Sequence, residues 1–170
     1  MGLVTLDTPR LAVPGLYLPN NDTEDRIYYY KEGTERVALV EGVSTADGSV
    51  SKGTDSLNLI ATRNAVAATR TYVTNILVDL TKIKTLYADW TNTGNANGNN
   101  ISYLIVSTEK SGGVGTYNAR VYQDNIFSRT IKSLDVSALS GLYYIRIHVR
   151  ADGADGNTSN LTVYRIWGVT

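Results

Sequence analysis

The stretch from Asp135 to Arg150 reads DVSALSGLYYIRIHVR and gives the clearest indication of the fold. Its second half alternates between two kinds of side chain, which is typical of a β-strand because successive residues point to opposite faces. The aliphatic positions are Ile145, Ile147 and Val149. This alternation predicts a strand with one face in a hydrophobic core and the other face available for polar side chains.

The first half of this stretch has a second copy earlier in the chain. Residues 135–143 and 79–87 share the order Asp, aliphatic, hydroxyl, any, aliphatic, any, any, Leu, Tyr. A carboxylate or hydroxyl can cap the free N–H groups of one turn, and the two aliphatic side chains can close the space between two sheets. We interpret both copies as corners at which the chain crosses from one sheet to the other.

The rest of the chain also favours strands, because it is rich in Tyr, Thr, Val and Ile and has no long helical periodicity. Two strands flank a glycine-containing turn between Arg26 and Val40. Further short strands are predicted at about 56–62, 67–74, 84–91, 101–108, 117–123, 127–134, 142–150 and 160–168. In the last of these, both alternating sides carry large apolar groups, which leaves its buried face undetermined. The predicted fold class is all-β, a jelly-roll-like antiparallel β-sandwich formed by residues 26–170.

Residues 1–25 differ from the rest because they contain all three prolines of the chain. Neither a helix nor a central strand tolerates that spacing of prolines. The segment is nevertheless apolar, and exposed aliphatic groups favour burial against a partner. We predict an extended N-terminal arm that supports assembly into a homo-oligomer, with packing on its own sandwich as the alternative. Its candidate assembly residues are Leu11, Val13, Leu16, Tyr17 and Leu18.

Composition narrows the function classes. Sixteen basic and sixteen acidic residues cancel, so no overall charge favours nucleic acid or a membrane surface as a partner. The chain has no cysteine, which removes disulfides and Cys-ligated zinc. Neither an apolar run of membrane-spanning length nor a secretion signal is present in this sequence. We expect no nucleic-acid and no membrane partner.

A resemblance covers about residues 26–170. It is carried by an ordered series of stretches: YYYKEG at 28–33, VDLT at 78–81, LYADWTNTG at 86–94, YLIVS at 103–107, FSR at 127–129, LDVSALSG at 134–141, YYIRIH at 143–148 and LTVYRIW at 161–167. This series resembles a β-sandwich module of distal tail and baseplate proteins from phages of Gram-positive bacteria. It is similar to the shoulder domain of lactococcal phage receptor-binding proteins.

The resemblance implies a non-enzymatic virion protein of the phage tail tip, with other phage tail proteins as partners. Such a protein is made in the host cytoplasm without a signal peptide. These modules have no catalytic residues that could be transferred to this chain. Whether the protein binds the host receptor or acts as a scaffold beside the receptor binder is left open by the sequence.

The polar side of the strand at 142–150 suggests an alternative function. Its residues are Tyr144, Arg146, His148 and Arg150. Tyrosine rings stack on sugar rings, and arginine donates paired hydrogen bonds to carboxylate or phosphate. The alternative is therefore a carbohydrate-binding module that recognises an anionic cell-wall glycopolymer of the host. An ordinary solvated sheet face, or one that pairs with another subunit, explains the same pattern.

Catalytic and metal chemistry have little support in the sequence. His148 is the only histidine, and it lies between two arginines without an accompanying nucleophile motif. A small glycan hydrolase is the third hypothesis, but it needs two carboxylates in a recognisable frame. The segment 152–157 weakly resembles a calcium loop, yet it lacks the alternating ligands and the terminal Glu. We therefore predict no catalytic residues, no metal site and no cofactor.

Overall fold

The computed structural model describes residues 16–17, 26–44, 47–94, 100–125 and 127–170. The strands in these ranges are β1 (Leu16–Tyr17), β2 (Arg26–Lys31), β3 (Thr34–Glu35), β4 (Leu39–Glu41), β5 (Gly48–Lys52), β6 (Leu57–Thr62), β7 (Ala68–Thr74), β8 (Leu77–Asp79), β9 (Thr85–Gly94), β10 (Asn100–Ser107), β11 (Ala119–Asp124), β12 (Phe127–Asp135), β13 (Leu142–Ala151) and β14 (Thr158–Val169). None of these residues forms a helix long and apolar enough to span a membrane.

The strands form two seven-stranded sheets that pack face to face. Sheet one contains β1, β4, β7, β8, β10, β11 and β13. Sheet two contains β2, β3, β5, β6, β9, β12 and β14. Within the described ranges, the pair of β1 and β8 is parallel and the other named strand pairs are antiparallel. The predicted all-β, jelly-roll-like antiparallel sandwich is confirmed.

Each sheet is organised around one long strand. In sheet one, β13 pairs with β10 along one edge, and along the other edge it pairs first with β8 and then with β7. In sheet two, β14 pairs with β9 along one edge and with β6 and then β2 along the other. The stretch with the clearest alternation in the sequence is thus the central strand of sheet one.

The core lies between the two sheets and takes one face of each strand. From β13 it takes Ile145, Ile147 and Val149, as the alternation predicts. Trp90 of β9 is fully buried beneath them. Fully burying a large aliphatic side chain stabilises the fold by about 1.5–3 kcal/mol relative to leaving it in water. Because side chains alternate along a strand, the opposite face of β13 is the outward face of sheet one.

The two predicted corners are confirmed. In one, the chain passes from β8 of sheet one to β9 of sheet two, and the Asp79 carboxylate accepts the Thr81 backbone N–H at 2.9 Å. In the other, the chain passes from β12 of sheet two to β13 of sheet one, and the Asp135 carboxylate accepts the Ser137 N–H at 2.9 Å. Each carboxylate thus satisfies a donor that the tight turn leaves without a backbone partner.

The corners also bond to each other. The Leu80 N–H donates to the Gly141 carbonyl at 2.9 Å, and the Val136 N–H donates to the Lys84 carbonyl at 2.9 Å. Leu80 and Val136 are buried in the core. Gly141 has φ of 106°, a conformation that side-chain-bearing residues rarely adopt. The two copies of the motif therefore close the same end of the sandwich together.

The N-terminal arm is described only where it forms β1. Leu16 and Tyr17 pair in parallel with Leu77 and Val78 of the same chain. The other candidate assembly residues, Leu11, Val13 and Leu18, lie outside the described residues. The boundary between the arm at 1–25 and the sandwich, and the role of the arm in assembly, stay predictions.

Candidate functional site

The four residues singled out on β13 share the outward face of sheet one, as their alternation requires. Tyr144, Arg146, His148 and Arg150 alternate with side chains of the core. Their cross-strand neighbours on β10 are Ser107, Ile105, Tyr103 and Ile101, and those of the last three on β7 are Val73, Thr71 and Thr69. Because paired residues in antiparallel strands lie on the same side, this face mixes aromatic, cationic and hydroxyl side chains.

Arg146 is fully buried on this face. Its guanidinium donates hydrogen bonds to the backbone carbonyls of Gly112 and Thr116, in the loop that joins β10 to β11. Burial lowers the pKa of Arg146, and the negative charge of Glu109 acts in the opposite direction. Arg146 thus holds the loop at 108–118 across the centre of the face.

His148 is also buried, with 1% of its surface exposed. Its Nδ1 lies 2.8 Å from the hydroxyl oxygen of Thr71. Burial, followed by the positive charge of Arg146, lowers the pKa of His148 to about 3, so the imidazole is neutral at ordinary pH. The alternative of an ordinary solvated sheet face does not hold for Arg146 and His148, because both side chains are buried.

Arg150 and Tyr144 are partly exposed. Arg150 donates to the Asp152 carboxylate at 2.6 Å and also forms a hydrogen bond with the Tyr103 hydroxyl. Burial raises the pKa of Tyr103, while the charges of Arg150 and Arg120 act to lower it. These contacts place two guanidinium groups beside one tyrosine. The binding role of Tyr144 and Arg150 stays a prediction.

A further group of aromatic and cationic residues, not predicted from the sequence, lies beside this row. Tyr103 pairs across the strands with Tyr122, and their ring centroids are 6.0 Å apart. The guanidinium carbon of Arg120 lies 5.7 Å from the centroid of Tyr103 and 4.3 Å from that of Tyr117. We name the surface formed by Tyr103, Tyr117, Arg120, Tyr122 and Arg150 the tyrosine–arginine face.

The tyrosine–arginine face is open to solvent at its aromatic end. Tyr117 is 47% exposed and Tyr122 is 51% exposed. Arg120 donates to the Val114 carbonyl at 2.7 Å, which fixes the guanidinium against the two rings. Among the described residues, no carboxylate lies within ion-pair distance of Arg120. The arrangement can therefore stack on a flat ring and donate hydrogen bonds to an acceptor.

The sequence contains part of the signal for these residues. In β11, which reads ARVYQD, Arg120 and Tyr122 are two positions apart and so lie on one side of a strand. Their position next to Tyr103 depends on the pairing of β10 with β11, which local alternation does not specify. Alternating Tyr and Arg residues in two neighbouring predicted strands are the sequence signal that identifies Tyr103, Arg120 and Tyr122.

The segment at 152–157 forms ion pairs. Arg63 contacts the carboxylates of Asp152 and Asp155, each at 3.3 Å. The Gly153 N–H, together with Arg150, lowers the pKa of Asp152. In the part of the chain that the structure describes, no group of three or more His, Asp or Glu side chains could hold a metal ion.

Comparisons with known proteins give structural likenesses. No family model and no curated protein matches the chain. The family 11 carbohydrate-binding module from Clostridium thermocellum, in complex with a β-1,3-1,4-mixed-linked tetrasaccharide, is similar with a TM-score of 0.52 and 13% identity, covering 86% of this chain and 96% of that one.

Two further similar structures are family 29 carbohydrate-binding modules. The one from Piromyces equi has a TM-score of 0.52 and 12% identity, covering 85% of this chain and 90% of that chain. A mutant of a family 29 module has a TM-score of 0.53 and 13% identity, covering 84% and 89%. At this identity the likeness shows the fold: the chain shares the β-sandwich architecture of these carbohydrate-binding modules.

Proposed function

We propose that this chain is a non-catalytic carbohydrate-binding β-sandwich that binds a polysaccharide on the tyrosine–arginine face. The observation that carries the proposal is the position of Arg120 between the rings of Tyr103 and Tyr117, beside the half-exposed ring of Tyr122. Aromatic rings and guanidinium groups on a rigid sheet are suited to sugars, which present flat apolar ring faces and a rim of hydroxyl groups.

The ligand would be bound by stacking on tyrosine rings and by hydrogen bonds from arginine. Tyr117 and Tyr122 offer ring faces at low conformational cost, since each side chain has only two rotatable torsions. Arg120 is already fixed by its bond to Val114 and its contacts with the rings, so little further ordering is needed when a ligand binds. Arg150, which is partly exposed at the β13 side of the face, would add a further hydrogen-bond donor.

The chemistry of the face favours an acidic glycan. Arg120 can form charge-assisted hydrogen bonds with a carboxylate or phosphate of the ligand, because no protein carboxylate in the described ranges occupies it. A neutral sugar would stack on the rings and accept hydrogen bonds from Arg120 through its hydroxyl groups, but it would lack the attraction between opposite charges. The absence of a catalytic role is part of the proposal, and it is supported by the bonding of His148 to Thr71 instead of to a carboxylate.

Affinity electrophoresis tests this proposal. Three native gels would each contain one polysaccharide: polygalacturonate, which carries carboxylates, teichoic acid, which carries phosphates, or a neutral mixed-linkage β-glucan. We expect retardation of the wild-type chain in an acidic gel, and a loss of about tenfold in affinity for Tyr122→Ala, since an aromatic contact contributes about 0.5–1.5 kcal/mol beyond its buried area.

A matched control separates binding from general surface effects. Val66 is exposed and apolar but lies in the turn before β7, so Val66→Ala should migrate like the wild type. Equal retardation of Tyr122→Ala, Arg120→Ala and the wild type would contradict the proposed face. No retardation in any of the three gels would contradict carbohydrate binding itself.

The place of the protein in a phage tail remains a separate proposal that rests on the sequence resemblance. In that setting the sandwich would present a glycan-binding face at the tail tip, and the N-terminal arm would contribute to assembly. Light scattering of the full chain and of a chain lacking residues 1–15 would test the arm. A monomer mass for the full chain at every concentration would contradict assembly through the arm.

A further inference from the structure

Sheet two carries an aromatic cluster on its outward face, on the opposite side of the sandwich from the tyrosine–arginine face. The indole of Trp167 is stacked on the ring of Tyr87, with centroids 5.1 Å apart and an interplanar angle of 10°. On its other side lies Tyr28, with its centroid at 6.1 Å. These three residues come from the neighbouring strands β9, β14 and β2, so the cluster crosses the sheet.

An open cavity of about 450 Å³ lies against this cluster. It is lined by Arg26, Tyr87, Ile131, Trp167 and Val169, and we name this surface the tryptophan face. Ile131 is 55% exposed on β12, at the edge of the sheet. The volume lies within the range of about 300–1,000 Å³ that is common for small-molecule sites.

Arg26 lines this cavity, and a second cation, Lys31, lies at the Tyr28 end of the aromatic cluster. The guanidinium carbon of Arg26 lies 5.9 Å from the Trp167 ring centroid, and the Lys31 ammonium lies 4.9 Å from the centroid of Tyr28. Among the described residues, no carboxylate lies within ion-pair distance of Arg26. The cavity therefore combines an aromatic floor with a cation at its rim.

Asp89, on the same outward face of sheet two, is already paired with arginines. Asp89 is buried and accepts hydrogen bonds from Arg129 at 2.7 and 2.9 Å and from Arg165 at 3.0 Å. Glu32 lies 3.8 Å from Arg165. Two arginines thus face two carboxylates, whereas Arg26 and Lys31 add positive charge with no described carboxylate within ion-pair distance. The balance favours an acidic ligand.

We propose that the tryptophan face is a second glycan site, which takes one acidic sugar unit. The proposal rests on the proposed function of the chain as a carbohydrate binder. Five lining side chains match the size of one or two sugar rings, whereas a stable protein partner needs about 800 Å² from each side. The sugar ring packs on Tyr87 and Ile131, and its carboxylate accepts hydrogen bonds from Arg26.

Two sites on opposite faces make one chain bivalent. Each site can bind a different polysaccharide chain, because the core of the sandwich separates them. On a polymer surface, the second contact is made at the high effective concentration set by the first. The module would then cross-link acidic polysaccharide and would be retained on it longer than either site alone allows.

Isothermal titration with a short galacturonic acid oligosaccharide tests the second site. The tested variants are Ile131→Glu with Arg26→Ala on the tryptophan face, and Tyr122→Ala with Arg120→Ala on the tyrosine–arginine face. Ile131 and Tyr122 are about half exposed, so these changes leave the core intact, and the thermal midpoint of each variant checks this. We expect two sites per wild-type chain, one in each double variant and none when all four changes are combined.

Intrinsic fluorescence gives an independent readout. Trp90 is fully buried in the core, so a ligand-induced change in emission reports on Trp167. The change is expected in the wild type and in the tyrosine–arginine variant, but not after Ile131→Glu with Arg26→Ala. With polygalacturonate, only the wild type should raise the viscosity by cross-linking.

The outcomes separate this inference from the proposed function. A single site that the tyrosine–arginine variant removes, and that the tryptophan-face variant leaves unchanged, would overturn the second site while the proposed function stands. Binding of the oligosaccharide by neither face would overturn both. Two sites, each removed by its own variant, support both.

Discussion

The Nδ1 atom of His148 lies 2.8 Å from the hydroxyl oxygen of Thr71. That hydroxyl donates its own proton to the Val43 carbonyl at 3.2 Å, so it must accept the bond from the imidazole. His148 is therefore the neutral tautomer with its proton on Nδ1. Its Nε2 is a buried acceptor without a hydrogen-bond partner among the described residues.

Protonation of His148 should couple folding to pH. Burial and then Arg146 lower its pKa from 6.5 to about 3. Between these values the unfolded state binds a proton that the folded state does not, so stability falls as the pH falls, by up to about 1.4 kcal/mol per pH unit. Asp89 and Asp152 also have lowered pKa values, but they start to act only below about pH 4.5.

Urea unfolding between about pH 6.5 and 4.5 measures this coupling. The free energy of unfolding of the wild type should fall with acidification, and that of His148→Gln should stay nearly flat, because the variant lacks the imidazole whose pKa differs between the folded and unfolded states. Since His148 is the only histidine, NMR of its ring can follow it alone. An imidazole that titrates near its ordinary value would contradict this prediction.

Removal of the Asp89 carboxylate should destabilise sheet two. Asp89→Asn leaves Arg129 without a described carboxylate within ion-pair distance, and leaves Arg165 with only Glu32, at 3.8 Å. We expect a loss of about 2–4 kcal/mol, below the upper range for a buried pair because both arginines are partly exposed. Asp155→Asn is the control, since its pairing with Arg63 is exposed and should contribute less than about 1 kcal/mol. Equal unfolding free energies for the two variants would contradict the role of Asp89.

The first corner should depend on its capping acid. Asp79→Ala removes the acceptor for the Thr81 N–H, at a cost of about 1 kcal/mol. Asp79→Asn keeps an oxygen at the same position and should cost less. Thermal unfolding of both variants, compared with the wild type, checks the order. An alanine variant as stable as the asparagine variant would show that the carboxylate does not act as a cap.

Replacement of Arg146 should affect the loop at 108–118 more than the free energy of unfolding of the whole chain. Arg146→Met removes a buried charge that forms no ion pair with a described carboxylate, so we expect little loss of unfolding free energy. The carbonyls of Gly112 and Thr116 then lose their donors. Amide hydrogen exchange in the loop at 108–118 should accelerate, and exchange in β13 should stay slow. Unchanged exchange in the loop would contradict the holding role of Arg146.

The sequence predicts features that depend on local pattern. The alternation of Ile145, Ile147 and Val149, and the repeated turn that begins at Asp79 and Asp135, identify a central strand and two corners. These follow from side-chain periodicity and capping chemistry, which act within a few residues.

Features that depend on distant contacts are not predictable in this way. The register between β9 and β14 shifts between Val163 and Arg165, which places Leu161, Val163 and Ile166 in the core. This irregularity explains why both sides of the strand carry large apolar groups. The burial of Arg146 likewise depends on carbonyls that are 30 and 34 positions away in sequence. Neither the register shift nor the hydrogen bonds of Arg146 can be recognised from a local pattern in the sequence.

NMR titration of the isotope-labelled chain with an acidic oligosaccharide locates the glycan-binding surface residue by residue. If glycan binds on the tyrosine–arginine face, the largest shifts in backbone amides should cluster in β10 and β11, around Tyr103, Arg120 and Tyr122, and Arg120→Ala should greatly reduce them. A smaller, separate group of shifts should lie near Trp167. Saturating ligand that leaves the amides of the tyrosine–arginine face unshifted would contradict the account.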